Sequence, residues 1–346
     1  MNIAVLVSGG VDSSLALKLL RDQGHNLTAF YLKIWLEDEL AYLGSCPWEE
    51  DLRYVRAVCE QLGVPLEVVN FQKEYWDRVV AYALREIKEG RTPNPDIMCN
   101  KEVKFGAFLD RYGHQFDKVA TGHYAQVKDV GGAYYLSLAP DVIKDQTYFL
   151  ARLSQEQLAK ALFPIGHLNK TQVRELAQQY DLPNKDRKDS QGICFLGTIK
   201  FADFLKHHFG TQPGPLVEEE TGQVLGTHPG FYFFTAGQRQ GIGLSGGPWY
   251  VVRKDPAANT VYISRTYYDA HKERKTFVME DVVFLQQPVE VTVKLRHGPQ
   301  RQLCRVMLCD DGAWNVELEA NDQGIAAGQF AVFYAGDVCI GSGKIC

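Results

Sequence analysis

In the first third of the chain, apolar residues come in short unbroken runs, each followed by a stretch with helical spacing. Ile3-Ala4-Val5-Leu6-Val7 carries no polar residue, as expected of a parallel strand covered on both faces. Ser14-Leu15-Ala16-Leu17-Lys18-Leu19-Leu20 then reads as the first turns of a helix. The alternation continues with a strand over 27–32 and a helix over 49–62 whose apolar positions are Leu52, Val55, Val58, Cys59 and Leu62. A strand over 66–71, helices over 75–87 and 102–112, and a strand over 118–121 complete it. Repeated βα units predict an α/β fold with a doubly wound parallel sheet, whose ligands sit at the carboxyl ends of the strands. Residues 153–180 look helical, with an interruption at Phe163-Pro164-Ile165-Gly166 and a capped helix start in Asn169-Lys170-Thr171-Gln172.

After about residue 210 the texture changes. Pro213-Gly214-Pro215, Glu220-Thr221-Gly222, His228-Pro229-Gly230 and Ser245-Gly246-Gly247-Pro248 punctuate short β-branched or aromatic segments. Strands over 290–295, 302–308, 314–318 and 329–334 follow, which suggests a small C-terminal β-barrel. The expected division is 1–200 for the parallel-sheet domain, 201–273 for a small central domain and 274–346 for the barrel.

Composition narrows the class. A chain of 346 residues holds material for two or three cores, and a net charge of -5 argues against gripping nucleic acid over the whole surface. No apolar run is long enough to span a membrane, and the first strand begins at residue 3, which leaves no room for a signal peptide. Eight cysteines without such a signal suggest reduced thiols. The expectation is a soluble, cytoplasmic, monomeric protein, since nothing signals a dimer, with an organellar origin after removal of a transit peptide as the alternative.

Between the first strand and the first helix stands Ser8-Gly9-Gly10-Val11-Asp12-Ser13. Strand, glycine-rich turn and helix N-terminus together make an anion site, because two glycines let the backbone approach a ligand while unpaired helix amides point at its oxygens. The lysine of a Walker-type loop is missing. The segment resembles instead the SGGxDS loop of ATP pyrophosphatases, which split ATP between its α and β phosphates.

Two cysteines have suggestive settings. Cys99 lies in Arg91-Thr92-Pro93-Asn94-Pro95-Asp96-Ile97-Met98-Cys99-Asn100, where the prolines predict a stiff loop opening the helix over 102–112. Lys101 and Lys104 favour its thiolate, and Asp96 is a candidate proton carrier. Cys194 sits in Lys188-Asp189-Ser190-Gln191-Gly192-Ile193-Cys194, behind Lys185 and Arg187. Taken singly, either cysteine is better read as a small buried apolar side chain. Cys59, Cys304 and Cys309 are read as packing, and no C-x-x-C spacing suggests a metal.

Taken together, the loop, the Asn94-Pro95-Asp96…Cys99 segment and Asp189-Ser190-Gln191-Gly192-Ile193-Cys194 resemble the tRNA-specific 2-thiouridylase (MnmA) family. Ala120-Thr121-Gly122-His123-Tyr124, Lys144-Asp145-Gln146-Thr147-Tyr148-Phe149-Leu150, Thr235-Ala236-Gly237-Gln238-Arg239-Gln240-Gly241 and Gly328-Gln329-Phe330 belong to the same resemblance, in the family's order. The resemblance implies replacement of the C2 oxygen of the tRNA wobble uridine (position 34) by sulfur, after adenylation of that oxygen by ATP with Mg2+. It implies that Leu6, Val7, Ser8, Gly9, Gly10, Val11, Asp12 and Ser13 hold ATP, with Leu32 and Gly122 lining the pocket. Cys194 would carry a persulfide supplied by a cysteine desulfurase or sulfur-relay protein. Cys99 would attack it, forming a Cys99–Cys194 disulfide or releasing sulfide, and Asp96 would act as acid or base.

The same resemblance places Asn94, Pro95 and Asp96 against a flipped-out uridine. His123, Lys144, Asp145, Gln146, Arg296, His297 and Gln329 fall at tRNA-contacting positions, for tRNAs of the Lys, Glu and Gln type. His297 stands where relatives carry Tyr, and Leu138-Ala139-Pro140-Asp141-Val142-Ile143 lacks the usual Arg and Asn. Basic clusters at 271–275 and 294–301 suit phosphates or, equally, a solvated face. The rival readings are another synthetase using the same loop, which needs no cysteine pair, and a noncatalytic tRNA-binding protein.

Overall fold

The computed structural model describes residues 1–34, 48–188, 200–266, 274–286, 291–310, 312–322 and 324–346. The apolar runs become a five-stranded parallel sheet. β1 (Asn2–Leu6) pairs on one side with β2 (Asn26–Lys33), which pairs with β3 (Leu66–Asn70). Its other side pairs with β4 (Lys118–Thr121), which is followed by β7 (Ala161–Leu162). The order is β3-β2-β1-β4-β7. The chain leaves β1 in one direction and returns on its other side, so the switch point lies between the carboxyl ends of β1 and β4.

α1 (Val11–Asp22) and α2 (Trp48–Leu62) pack with the sheet. The stripe Leu52, Val55, Val58, Cys59 and Leu62 of α2 is buried, as its spacing predicts. Burial raises the Cys59 thiol to about 11, consistent with an inert packing role. α3 runs from Gln72–Tyr75 through a π-helical turn, Trp76–Val80, into Ala81–Lys88.

Two expectations are corrected. Residues 95–98 are helix, not stiff loop: α4 starts as Pro95–Met98, widens to a π-helical stretch over Cys99–Ala107 and ends as Phe108–Tyr112. Asn94 caps it by accepting from the Ile97 N–H at 3.2 Å. Pro95 costs nothing there, because the first helical residue has no intrahelical N–H partner to lose. Likewise, 153–180 is not one interrupted helix. After the one-turn α5 (Thr147–Leu150), the short helices α6 (Gln155–Lys160) and α7 (Lys170–Gln179) flank β7, two residues that pair with β4 as the sheet edge.

The remaining chain is mostly β. A four-stranded sheet has the order β10-β11-β8-β9, built from β8 (Gly214–Glu218), β9 (Val224–His228), β10 (Tyr250–Asp255) and β11 (Thr260–Ser264), with α8 (Phe201–Phe209) before it. The six strands β12 (Thr276–Phe284), β13 (Val291–Lys294), β14 (Gln302–Leu308), β15 (Trp314–Leu318), β16 (Phe330–Ala335) and β17 (Val338–Ile345) close into a barrel, because β12 pairs with both β15 and β17. A hairpin from the first domain, β5 (Gln126–Val130) and β6 (Ala133–Ser137), adds to the barrel by pairing β6 with β17.

Charged links among the described residues help join the barrel to the parallel-sheet domain. Lys294 and Asp145 are only 2% and 1% exposed, with Nζ 2.7 Å from Oδ2. Glu86, on α3, meets Arg91 at 2.6 Å and Lys344 at 3.0 Å. Burial pushes the Glu86 carboxyl up, but these two cations hold it below its ordinary value. Arg152 donates to the Asp281 carbonyl at 2.7 Å and to its carboxylate at 2.6 Å. No helix among the described residues is long and apolar enough to cross a membrane.

Removing one member of the buried pair leaves a charge without its counter-ion. Lys294→Met is expected to cost about 3–5 kcal/mol, read as a lower unfolding midpoint in urea. Adding Asp145→Asn should restore most of the loss; a double variant as unstable as the single one would contradict this account.

Candidate active site

The anion loop lies at the switch point. Gly9 has φ +78°, a conformation that side chains disfavour, and Gly10 caps α1. Ser13 Oγ accepts from the Ser8 N–H at 3.1 Å and donates to the Gly10 carbonyl at 3.1 Å, which holds the turn open toward solvent on the Ser8 side. Leu6, Val7 and Val11 are buried beneath it, and Leu32 is half-buried near the end of the neighbouring β2. Gly122 follows β4 so closely that a Cβ there would lie 2.6 Å from the Ser13 nitrogen.

Several groups brace the loop from behind. Asn184, 1% exposed, donates to the Gly9 carbonyl at 2.8 Å and to Ser14 Oγ at 2.9 Å. Arg187 donates to the same carbonyl at 3.0 Å and pairs with Asp51. Asp12 accepts from the Tyr124 hydroxyl at 2.8 Å and pairs with Lys170 at 2.8 Å. Sequence reasoning did not assign roles to these partners. The capped start at Asn169 signalled the α7 helix, but nothing in it says where the next side chain reaches.

The start of α4 presents Asp96 and Cys99 three residues apart and therefore on one face. Cys99 is 4% exposed. Burial raises the Asp96 carboxyl, with the Lys104 charge partly opposing. His123 follows Gly122, and Thr121 Oγ1 lies 2.7 Å from its Nδ1. Burial, with a smaller push from Lys104, drives its imidazole well below the ordinary value. At neutral pH His123 is therefore an uncharged hydrogen-bonding ring. The Lys104 charge acts on both Asp96 and His123, which ties the helix start to the end of β4.

Besides Asn94, Pro95, Asp96 and His123, the expected RNA-contacting residues divide into two groups. Lys144 and Gln146 are half-buried, while Arg296 and His297 are exposed. Arg296 donates to Asp322 at 2.8 Å, and the His297 ring packs on Phe149 with centroids 4.7 Å apart and planes tilted by 30°. The other two face inward. Asp145 is the partner of Lys294. Gln329 donates to the Thr92 and Pro93 carbonyls at 3.1 and 3.0 Å and accepts from Asn94 at 3.2 Å, so it fastens the barrel to the loop before Pro95.

Cys194, the other expected catalytic cysteine, lies outside the described residues, as do Cys46 and residues 271–273 of the basic cluster. Cys304 and Cys339 have thiols raised to about 12 by burial. Among the described residues no group of three or more metal-ligating side chains occurs.

With that geometry in place, the chain can be compared with known proteins. A family profile described as tRNA methyl transferase HUP domain matches residues 1–198. A tRNA methyl transferase PRC-barrel domain matches 202–265, and an aminomethyltransferase beta-barrel domain matches 270–345. The chain is 45% identical to the tRNA-specific 2-thiouridylase MnmA of Parabacteroides distasonis, over 100% of this chain and 99% of that one. It is 47% identical to tRNA-specific 2-thiouridylase MnmA 2 of Bacteroides fragilis, over 100% of both chains. A solved 4-thiouridine synthetase in complex with RNA and bound ATP aligns over 56% of this chain and 44% of that chain, at 17% identity and TM-score 0.36, too slight a likeness to argue from.

Two predictions concern this site. Gly122→Ala is expected to weaken pyrophosphate binding about tenfold or more, measured by calorimetry, since overpacking against Ser13 costs about 1–3 kcal/mol. Unchanged binding would mean that the β4 end does not shape the loop. Asp96→Asn tests the raised carboxyl. A folded value above the unfolded one means that protonation favours the fold, and this contribution is lost as pH rises through the folded value. The variant should therefore melt higher than the parent at pH 7, and the gap should close near about pH 4.

Proposed function

The chain belongs to the tRNA-specific 2-thiouridylase family, a family of tRNA sulfurtransferases, and on that premise we propose that it converts the wobble uridine of tRNA to 2-thiouridine at the expense of ATP. The observation that carries this reading is the position of the anion loop. It sits at the switch point between β1 and β4, against Gly122, and the next residue, His123, feels the same Lys104 charge as Asp96 on the helix start that bears Cys99.

In this reading Leu6–Ser13 take the phosphates of ATP, and magnesium arrives with the nucleotide. The C2 oxygen of the uridine attacks the α-phosphorus, and pyrophosphate leaves. The terminal sulfur of a Cys194 persulfide then attacks C2 and AMP departs. The Cys99 thiolate attacks the Cys194 sulfur, which breaks the S–S bond, leaves sulfur on C2 and joins the cysteines as a disulfide. A thiol reductant must supply two electrons to reset the pair.

Burial of Cys99 suits this sequence, because a site closed to water protects both the adenylated base and the persulfide. Asp96, with its raised carboxyl, is placed to carry a proton to or from the base. A base must leave its stack for chemistry at C2, so the RNA would be met as an anticodon loop. Lys144, Gln146, Arg296 and the His297–Phe149 pair would form the outer contact surface. Asn94 would shape the pocket through its cap, with Gln329 behind it. A cysteine desulfurase or relay protein would supply the sulfur, to tRNAs of the Lys, Glu and Gln type.

The test is nucleoside mass spectrometry of those three unmodified tRNAs after incubation with the protein, Mg-ATP, cysteine and a cysteine desulfurase. 2-Thiouridine is expected with the parent and absent with Cys194→Ser and Cys99→Ser. Asp96→Asn should slow its appearance by about 10²–10⁴-fold. Pyrophosphate release without any thiouridine would remove the sulfur-transfer reading, and neither product would remove the whole assignment.

A further inference from the structure

Asp12 is the acidic residue in the first turn of α1, and two neighbours control where its carboxylate stands. Lys170 Nζ meets its two oxygens at 2.8 and 3.0 Å, and the Tyr124 hydroxyl donates to Oδ1 at 2.8 Å. Each neighbour leads to the same short stretch of chain, residues 141–146.

The first route runs through Asp141. The Lys170 backbone N–H donates to Asp141 Oδ2 at 2.9 Å. Asp141 Oδ1 accepts from the N–H groups of Ile143 and Lys144 at 3.2 and 3.1 Å, and its carbonyl accepts from the Asp145 N–H at 2.8 Å. Three backbone donors on one carboxylate hold it below its ordinary value although burial opposes this. The second route runs through Gln146. Its Oε1 accepts from the Tyr124 N–H at 3.0 Å, and its own N–H donates to the Tyr124 carbonyl at 2.8 Å.

The turn is thus joined to Asp12 twice over, by side chains and backbone that do not pass through the sheet. Its other face is open: Val142 and Ile143 are 58% and 67% exposed, with Lys144 next to them.

We propose that Tyr124 and Lys170 are positioning residues for Asp12, set by the 141–146 turn, so that RNA on the turn and nucleotide in the loop alter each other's affinity. This rests on the assignment of the two ligands made above. The physical basis is local. An RNA phosphate that draws Lys144 outward pulls on the N–H donated to Asp141, and Asp141 shares its carboxylate with the Lys170 backbone. A shift of Lys170 or Tyr124 changes how much of the Asp12 charge faces the triphosphate at the helix N-terminus, where charge counts most. Coupling of this kind is reciprocal, so each ligand must change the affinity of the other by the same factor.

The experiment is a pair of titrations on the full chain. α,β-Methylene-ATP, which cannot be split between its α and β phosphates, is titrated with and without unmodified tRNA, and tRNA is titrated with and without the analogue. The parent is expected to show a ratio of about five- to a hundredfold, equal in both directions. In Asp141→Asn with Tyr124→Phe each ligand should still bind alone, with the ratio near one. Tyr124→Phe by itself removes a single oxygen and should lower the ratio part way, which keeps the test decisive should the double variant fold poorly. A parent ratio of one, or a variant ratio equal to the parent's, would overturn the proposal. Failure of the parent to bind either ligand would instead overturn the functional assignment beneath it.

Discussion

Lys294 and Asp145 are both removed from water, and an ion in that position is tolerated only beside its counter-ion. This requirement fixes how the barrel sits on the parallel-sheet domain. Lys294 ends β13, immediately before Leu295, Arg296 and His297. Asp145 lies between Lys144 and Gln146. Pairing the two therefore brings the exposed strip of the barrel alongside the exposed turn of the first domain. Thr147 reinforces the arrangement, since its hydroxyl donates to Asp145 at 2.8 Å and lies 3.0 Å from the Tyr334 hydroxyl.

The same seam reaches the candidate chemistry. Gln329 immediately precedes β16 yet satisfies the carbonyls of Thr92 and Pro93, and the Thr92 N–H donates to the Ala327 carbonyl at 2.8 Å. Asn94, which caps α4, is thereby held from the barrel side. The placement of Asp96 and Cys99 depends on that cap, so a contact between domains orients the helix that carries them. Gly328 allows it: a Cβ there would lie 2.8 Å from Arg91 Cβ.

The legible parts of the chain were those with one dominant local cause. Ile3–Val7 is apolar throughout because both faces of a parallel strand are covered, and the α2 stripe repeats because one face of a helix is buried. Ser8–Ser13 was legible for the same reason, as its glycines and serines answer a local geometric need. Ala161–Leu162 escaped notice because two residues carry no period, and β4 alone makes them a strand. The start of α4 was misread because proline was taken as a breaker rather than as a first helical residue. Asp145 and Gln329 illustrate the harder limit. Their motif matches are local, whereas their partners, Lys294 and Thr92, lie more than a hundred residues away, and polar residues of this kind look the same whether they face RNA or another domain.

The electrostatics of the two histidines bear on how such a surface would read RNA. His123 is pushed well below its ordinary value by burial and Lys104, and His297 is lowered by burial and then by Lys294, with Asp145 opposing. Neither adds a positive charge at neutral pH. The chain as a whole is negative, at -5, so in this reading attraction to phosphate would rest on local cations such as Lys144 and Arg296, together with Arg274, Lys275 and Arg301 of the basic stretches. Arg296 already shares its charge with Asp322. In the same reading, selectivity would draw on shape and stacking, for which the His297–Phe149 pair is suited by its ring spacing. A neutral ring beside Phe149 can accept a base edge or face without first shedding a charged hydration shell, which is the physical advantage of holding His297 uncharged.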